Sequence, residues 1–130
     1  MTRRSDIDKR QTFHVEQGHL VRTVAMRDGR AYSHRCSLES YTAVARFIEE
    51  RAAEGITTTV LWDSLEDVPC TQASVALGFL KERGCLEARF RRLFPTSHVF
   101  FEDALMEFHA LAEEPPDADK RESNREGDAP

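Results

Sequence analysis

Between Thr12 and Cys36 apolar and polar residues alternate with a period of two. Phe13 and Val15 come first, Gly18 interrupts, and two further runs, Leu20 to Met26 and Arg30 to Cys36, flank Asp28-Gly29. This is the pattern of half-buried strands joined by a tight turn. The loop length fixes which side chains share a face, because a one-residue slip turns every one of them over. A two-residue Asp28-Gly29 loop would separate Tyr32 from the aliphatic residues. A three-residue Arg27-Asp28-Gly29 loop with Gly29 left-handed pairs Val24 with Tyr32 and Leu20 with Cys36. It gathers Leu20, Val24, Met26, Tyr32 and Cys36 on one side, and is the register expected.

At Ser37 the period changes. Ser37 suits an N-cap, and Glu39 in the first turn complements the helix dipole. Tyr41, Val44, Ala45, Ile48 and Ala52 then follow helical spacing up to Gly55. Ile56 to Thr58 predicts a one-rung strand, and Thr59 the cap of a short helix, Val60 to Glu66, that buries Leu61 and Leu65. After the Asp67-Val68-Pro69 turn, Ala73, Ala76, Leu77 and Leu80 predict a third helix over 70–83, stopped by Gly84. Leu86, Ala88 and Phe90 alternate with Glu87, Arg89 and Arg91, predicting a strand over 86–92. Pro95 to Ser97 turns it into a second strand at His98 to Phe101. A last helix begins at Glu102, with Leu105, Phe108, Leu111 and Ala112 on one stripe, and Pro115-Pro116 stops it.

Composition adds boundaries rather than elements. Residues 1–11 are polar and aperiodic and read as a mobile arm. Residues 114–130 are charged and nearly free of apolar side chains, an acidic tail expected to be disordered. The N-terminal hairpin region, 12–36, is expected to pack on a core domain spanning 37–113. No apolar run approaches the ~18 residues of a membrane span, and no secretory leader precedes the domain, so a cytoplasmic protein is expected.

The formal net charge is -5, yet two segments are locally basic. Residues 20–36 hold Arg22, Arg27, Arg30 and Arg35 against Asp28; residues 81–92 hold Lys81, Arg83, Arg89, Arg91 and Arg92 against Glu82 and Glu87. An acidic protein with basic segments can still touch phosphate, although long-range steering is weak. Cys36, Cys70 and Cys85 are an odd number without a Cys-x-x-Cys pair, which is neither a disulfide framework nor, with the scattered histidines, a zinc-ligand spacing. No phosphate loop, nucleophile elbow or His-Glu-x-x-His motif is present, so no catalytic residue, cofactor or metal ligand is assigned.

Taken in order, Leu38–Glu54, Val60–Glu66, Cys70–Arg83, Leu86–Arg92 and His98–Phe101 resemble the winged helix-turn-helix superfamily, above all at the helix exit Leu80-Lys-Glu-Arg-Gly-Cys-Leu86. The resemblance covers about half the chain. It implies an α+β winged helix with an N-terminal β-hairpin and a C-terminal helix. It also implies a nucleic-acid-binding, transcription-regulator-like function, in which the third helix enters the major groove and the wing touches the backbone. Carried over by position, the outward helix residues are Gln72, Ser74, Val75 and Gly78 with Lys81 at the rim, and the wing residues are Arg89, Arg91 and Arg92. The nucleic-acid contacts expected are therefore Gln72, Ser74, Lys81, Arg89, Arg91 and Arg92, with DNA as the partner. A homodimer would use the C-terminal helix or the Val75/Gly78/Phe79 surface.

A major-groove helix usually offers Arg, Lys, Asn or Gln to base edges. This one has Gln72 and Ser74 and no Arg or Lys before Lys81. Gly78 costs ~1 kcal/mol relative to Ala within a helix, which implies close approach by something. The alternative is therefore a protein–protein interaction module on the same scaffold without DNA binding, with Trp62 either packed on the hairpin or free as a docking anchor.

Overall fold

The computed structural model describes residues 9–114 of the 130; the arm at 1–8 and the tail from 115 lie outside the described residues. Three antiparallel strands lead the chain: β1 (Lys9–Glu16), β2 (His19–Met26) and β3 (Ala31–Ser37), in the spatial order β1-β2-β3. Helices α1 (Leu38–Glu50), α2 (Thr58–Ser64) and α3 (Cys70–Glu82) follow. The hairpin β4 (Leu86–Arg89) and β5 (Arg92–Pro95) comes next, and α4 (Phe100–Ala112) ends the fold. The architecture is α+β. β1 begins at Lys9, so residues 9–11 belong to the sheet rather than to an arm.

The register of the first sheet is the one that apolar gathering requires. Val24 pairs with Tyr32 and Leu20 with Cys36, around a loop in which Gly29 adopts φ +94° and donates its N–H to the Met26 carbonyl. Cross-strand partners share a face, so the inner rows are Val15/Leu20/Cys36, Phe13/Arg22/His34 and Gln11/Val24/Tyr32. That face lies on the helices. Leu20 and Cys36 are fully buried, with Phe13 and Val15 packed against the same core.

α1 starts where the sequence marks it. Ser37 Oγ accepts the Ser40 N–H at 3.0 Å, and Tyr41, Val44, Ala45 and Ile48 are buried. Ala52 lies beyond the helix and is exposed. α2 is capped by Thr57, not Thr59, through a 3.1 Å bond from the Val60 N–H. At the end of α3, Gly84 (φ +79°) donates to the Lys81 carbonyl and Cys85 to the Leu80 carbonyl. These two bonds are the Schellman arrangement that closes a helix on a left-handed glycine.

The second hairpin differs from its expected position. Its strands pair Leu86 with Pro95 and Arg89 with Arg92, so the turn is Phe90-Arg91 and the return strand is β5. Residues 98–101 are not a strand: α4 already begins at Phe100. Neither turn residue is Gly or Asn, yet both have positive φ, +51° and +64°. No local sequence signal marks such a turn. Thr96 ties the open end of the hairpin to the helix exit, its N–H donating to Cys85 O and its hydroxyl to Gly84 O.

Ile56 is the single rung expected, exchanging both backbone hydrogen bonds with Leu93 at 2.8 and 3.0 Å. Gly55 beside it is obligatory. At φ +75°, a Cβ would stand 2.8 Å from the Phe94 ring. α4 closes the core with Phe100, Ala104, Phe108 and Leu111 rather than with Ala112, which is exposed. Tyr41 reaches it from α1 and donates its hydroxyl to the Ala104 carbonyl at 2.6 Å. Glu49 accepts the Phe101 N–H at 2.7 Å and so caps α4 from α1.

Candidate binding surfaces

α3 carries apolar residues almost all round: Ala73, Val75, Ala76, Leu77, Phe79 and Leu80 are buried. A helix of that kind must be covered on every side. α1 and the β4–β5 side take one flank, and the N-terminal sheet takes the other. Phe13 meets Phe79 edge-on at 5.4 Å between ring centroids. A Cβ on Gly78 would lie 3.5 Å from both Phe13 Cζ and Arg22 Nη1. The close approach implied by Gly78 is therefore made by the chain's own sheet. Val75, expected to face outward, is 0% exposed. Of the Val75/Gly78/Phe79 surface expected to support a homodimer, Val75 and Phe79 are fully buried and Gly78 lies half-buried under the sheet.

Each of the six expected contact residues has a definite place. Gln72 is half-buried, and its Oε1 accepts the Ser37 backbone N–H at 3.0 Å and lies 3.4 Å from Ser37 Oγ. Ser74 is half-buried in the wall of a groove, and Lys81 is exposed at the same groove. Arg89 is engaged locally. It pairs with Glu87 at 3.1 Å and stacks on the Phe94 ring at 4.3 Å. Arg92, directly opposite it in the ladder, donates to the Gly55 carbonyl at 3.5 Å. Those partners draw the two guanidiniums off their shared rung, where like charges repel. Arg91 is at the exposed tip and has no ion-pair partner among the described residues. Ser74 and Lys81 thus share a groove, Arg89, Arg91 and Arg92 lie exposed together at the end of the second hairpin, and Gln72 is tied to Ser37.

Two features stand out that the charge pattern alone does not reveal. One is Phe90, 84% exposed at the tip beside Arg91. The other is the groove itself, about 290 Å³, lined by Gln11 and Arg22 from the sheet, Thr58 and Trp62 from α2, Ser74, Leu77, Gly78 and Lys81 from α3, and Leu93 from β5. Arg22, counted in the basic segment 20–36, does not simply face solvent. It sits in the inner row between Phe13 and His34, and its Nε is buried without a hydrogen-bond partner among the described residues. Trp62 packs neither fully against the sheet nor free of it. It forms the groove wall facing Gln11 and Arg22, 40% exposed.

The thiols divide by burial. Cys36 and Cys85 are buried and Cys70, at the start of α3, is exposed. Desolvation pushes the Cys36 thiol up to about 12 and raises that of Cys85, to which Glu107 and Asp103 add. Among the described residues no three His, Cys, Asp or Glu side chains form a metal-binding group, and no helix is long and apolar enough to cross a membrane.

No protein-family model, no curated protein and no solved structure matches this chain.

Proposed function

We propose that residues 38–95 are a winged helix and that the protein is a non-enzymatic protein–protein interaction module built on that scaffold. In this reading α1, α2 and α3 are the helical part, Ile56 with β4 and β5 is the small sheet, and the Phe90-Arg91 turn is the wing tip. The observation that carries the interaction reading is the cover over α3. The face that would have to enter a major groove has Val75 fully buried and Gly78 beneath Phe13 and Arg22. Gln72, the side chain best suited to an adenine edge, is bonded to Ser37.

The contact element is the wing tip. Phe90 presents an apolar side chain to solvent from a left-handed backbone, a conformation that costs an L-residue about 1–2 kcal/mol. Strain of that kind is characteristic of positions kept for contact. With Arg91 beside it, the tip suits a partner offering an apolar pocket with an acidic rim, where aromatic and Arg side chains dominate binding.

Direct nucleic-acid binding is the second reading. It is favoured by Arg91 and Lys81, two exposed cations without ion-pair partners among the described residues. Capture of a protein partner by the full chain, repeated with Phe90→Ala and Arg91→Ala, decides for the first reading if one partner is lost from both variants. Binding of duplex DNA that falls with salt and with Arg91→Ala decides for the second.

A further inference from the structure

We propose that the groove between β1–β2, α2 and α3 is a binding site for a small anion carried on a flat unsaturated ring, either an aromatic carboxylate or a nucleoside monophosphate. This goes beyond the wing-tip interaction and does not depend on it.

The charge in the groove is one-sided. Among the described residues its lining contains Arg22 and Lys81 and no acidic side chain. Neither cation has a hydrogen-bond or ion-pair partner among the described residues, and Arg22 Nε is shielded from solvent as well. Nε itself is out of a ligand's reach, so an anion in the groove meets the Arg22 Nη groups, which no acceptor among the described residues satisfies. A guanidinium is satisfied best by the two oxygens of a carboxylate or phosphate, which match its planar fork. The β1–β2 register holds Arg22 there. Phe13 is its direct cross-strand partner, and its Nη1 lies 3.5 Å from where a Gly78 Cβ would stand, so the guanidinium reaches α3. Thr58, Ser74 and Gln11 add neutral hydrogen-bonding groups around the same space.

The ring follows from the rest of the lining. Trp62, Leu77 and Leu93 supply an apolar wall, and Trp62 keeps a large part of its surface open. Convergent polar groups within an apolar surround are the usual composition of a small-molecule site. At about 290 Å³ the space lies at the small end of such sites, roughly 300–1,000 Å³, and so suits one ring system with one anionic group.

Trp62 is the only tryptophan in the chain, so its fluorescence reports the groove directly. Full-length protein is titrated with AMP, with benzoate, with inorganic phosphate as an anion without a ring, and with adenosine as a ring without an anion. The proposal predicts a saturable change with AMP or benzoate at about 1 mM or below, a regime of modest affinity. Whichever of the two binds more tightly identifies the source of the anion. Lys81→Gln and Arg22→Gln should each weaken that binding by about tenfold, the usual worth of one charged hydrogen bond. Lys81 is exposed, so Lys81→Gln keeps the test valid even if Arg22→Gln fails to fold. No saturable response to either AMP or benzoate up to about 10 mM overturns the site, as does binding that Lys81→Gln leaves unchanged. Phosphate or adenosine binding as tightly as AMP overturns the pairing of ring and anion.

Discussion

Gln72 on α3 accepts the backbone N–H of Ser37, at the junction of β3 and α1, at 3.0 Å. Ser37 meanwhile uses its hydroxyl to cap α1 through the Ser40 N–H. One contact therefore fastens the end of the sheet, the start of the first helix and the first turns of the third. It holds the sheet over α3, and with it the cover on Val75, Gly78 and Phe79.

Gln72→Ala should destabilise the fold by about 1–2 kcal/mol, because it leaves the part-buried Ser37 N–H without its acceptor. The same substitution should leave any affinity for nucleic acid unchanged. Urea unfolding with matched binding titrations checks both. A loss of affinity without a loss of stability would put Gln72 at a contact surface instead.

Gly78 tests the cover itself. A Cβ there would make ordinary van der Waals contact with Phe13 and Arg22 at 3.5 Å. Gly78→Ala should therefore gain about 0.5–1 kcal/mol from helix propensity. Gly78→Leu has no such room and should lose about 1–3 kcal/mol by forcing the sheet away from α3. The two substitutions should move the thermal midpoint in opposite directions.

Phe90→Asn should raise stability by about 1 kcal/mol, since Asn tolerates the left-handed backbone that Phe occupies at φ +51°. In the interaction reading the same change abolishes partner capture. A variant that is more stable and yet inactive is the signature of a residue kept for contact, read by a thermal melt beside a pull-down.

The thiols give a chemical map. Cys70 should react with a thiol reagent at pH 8 in the native protein, while Cys36 and Cys85 should react only on unfolding. Burial raises the Cys36 thiol from 9.0 to about 12, so above pH 9 the unfolded chain loses this proton while the native state keeps it. Stability should then fall as pH rises from about 9 towards 12, by up to about 1.4 kcal/mol per pH unit for this group. Cys36→Ala should flatten that slope, which denaturant titrations across this range would measure.

Much of the fold is legible where one physical constraint dominates. The Val24/Tyr32 register follows from collecting apolar residues on one face, and the Ser37 cap and the Gly84 stop follow from local backbone chemistry. Arg22 was legible too. The alternation that turns Leu20 and Val24 inward turns the residue between them inward as well, but its charge argues for solvent. The burial of Val75 and Phe79 is foreshadowed by an α3 that is apolar almost all round, although nothing local says which element covers it. The Phe90-Arg91 turn could not be read, because its positive φ values are imposed by the pairing of β4 with β5 and not by Gly or Asn. The groove needed the third dimension: Gln11, Arg22, Trp62 and Lys81 are scattered along the chain and meet only when the sheet folds over α3.

The central claim is that covering α3 removes it from nucleic acid. Fluorescence anisotropy of a mixed-sequence DNA duplex with the full-length protein, at about 50 mM and about 200 mM salt, tests it most directly. The account predicts no binding at micromolar protein even at the lower salt. Binding that weakens by roughly tenfold or more between the two salts, as phosphate-anchored complexes do, and that falls further with Arg91→Ala, would contradict it.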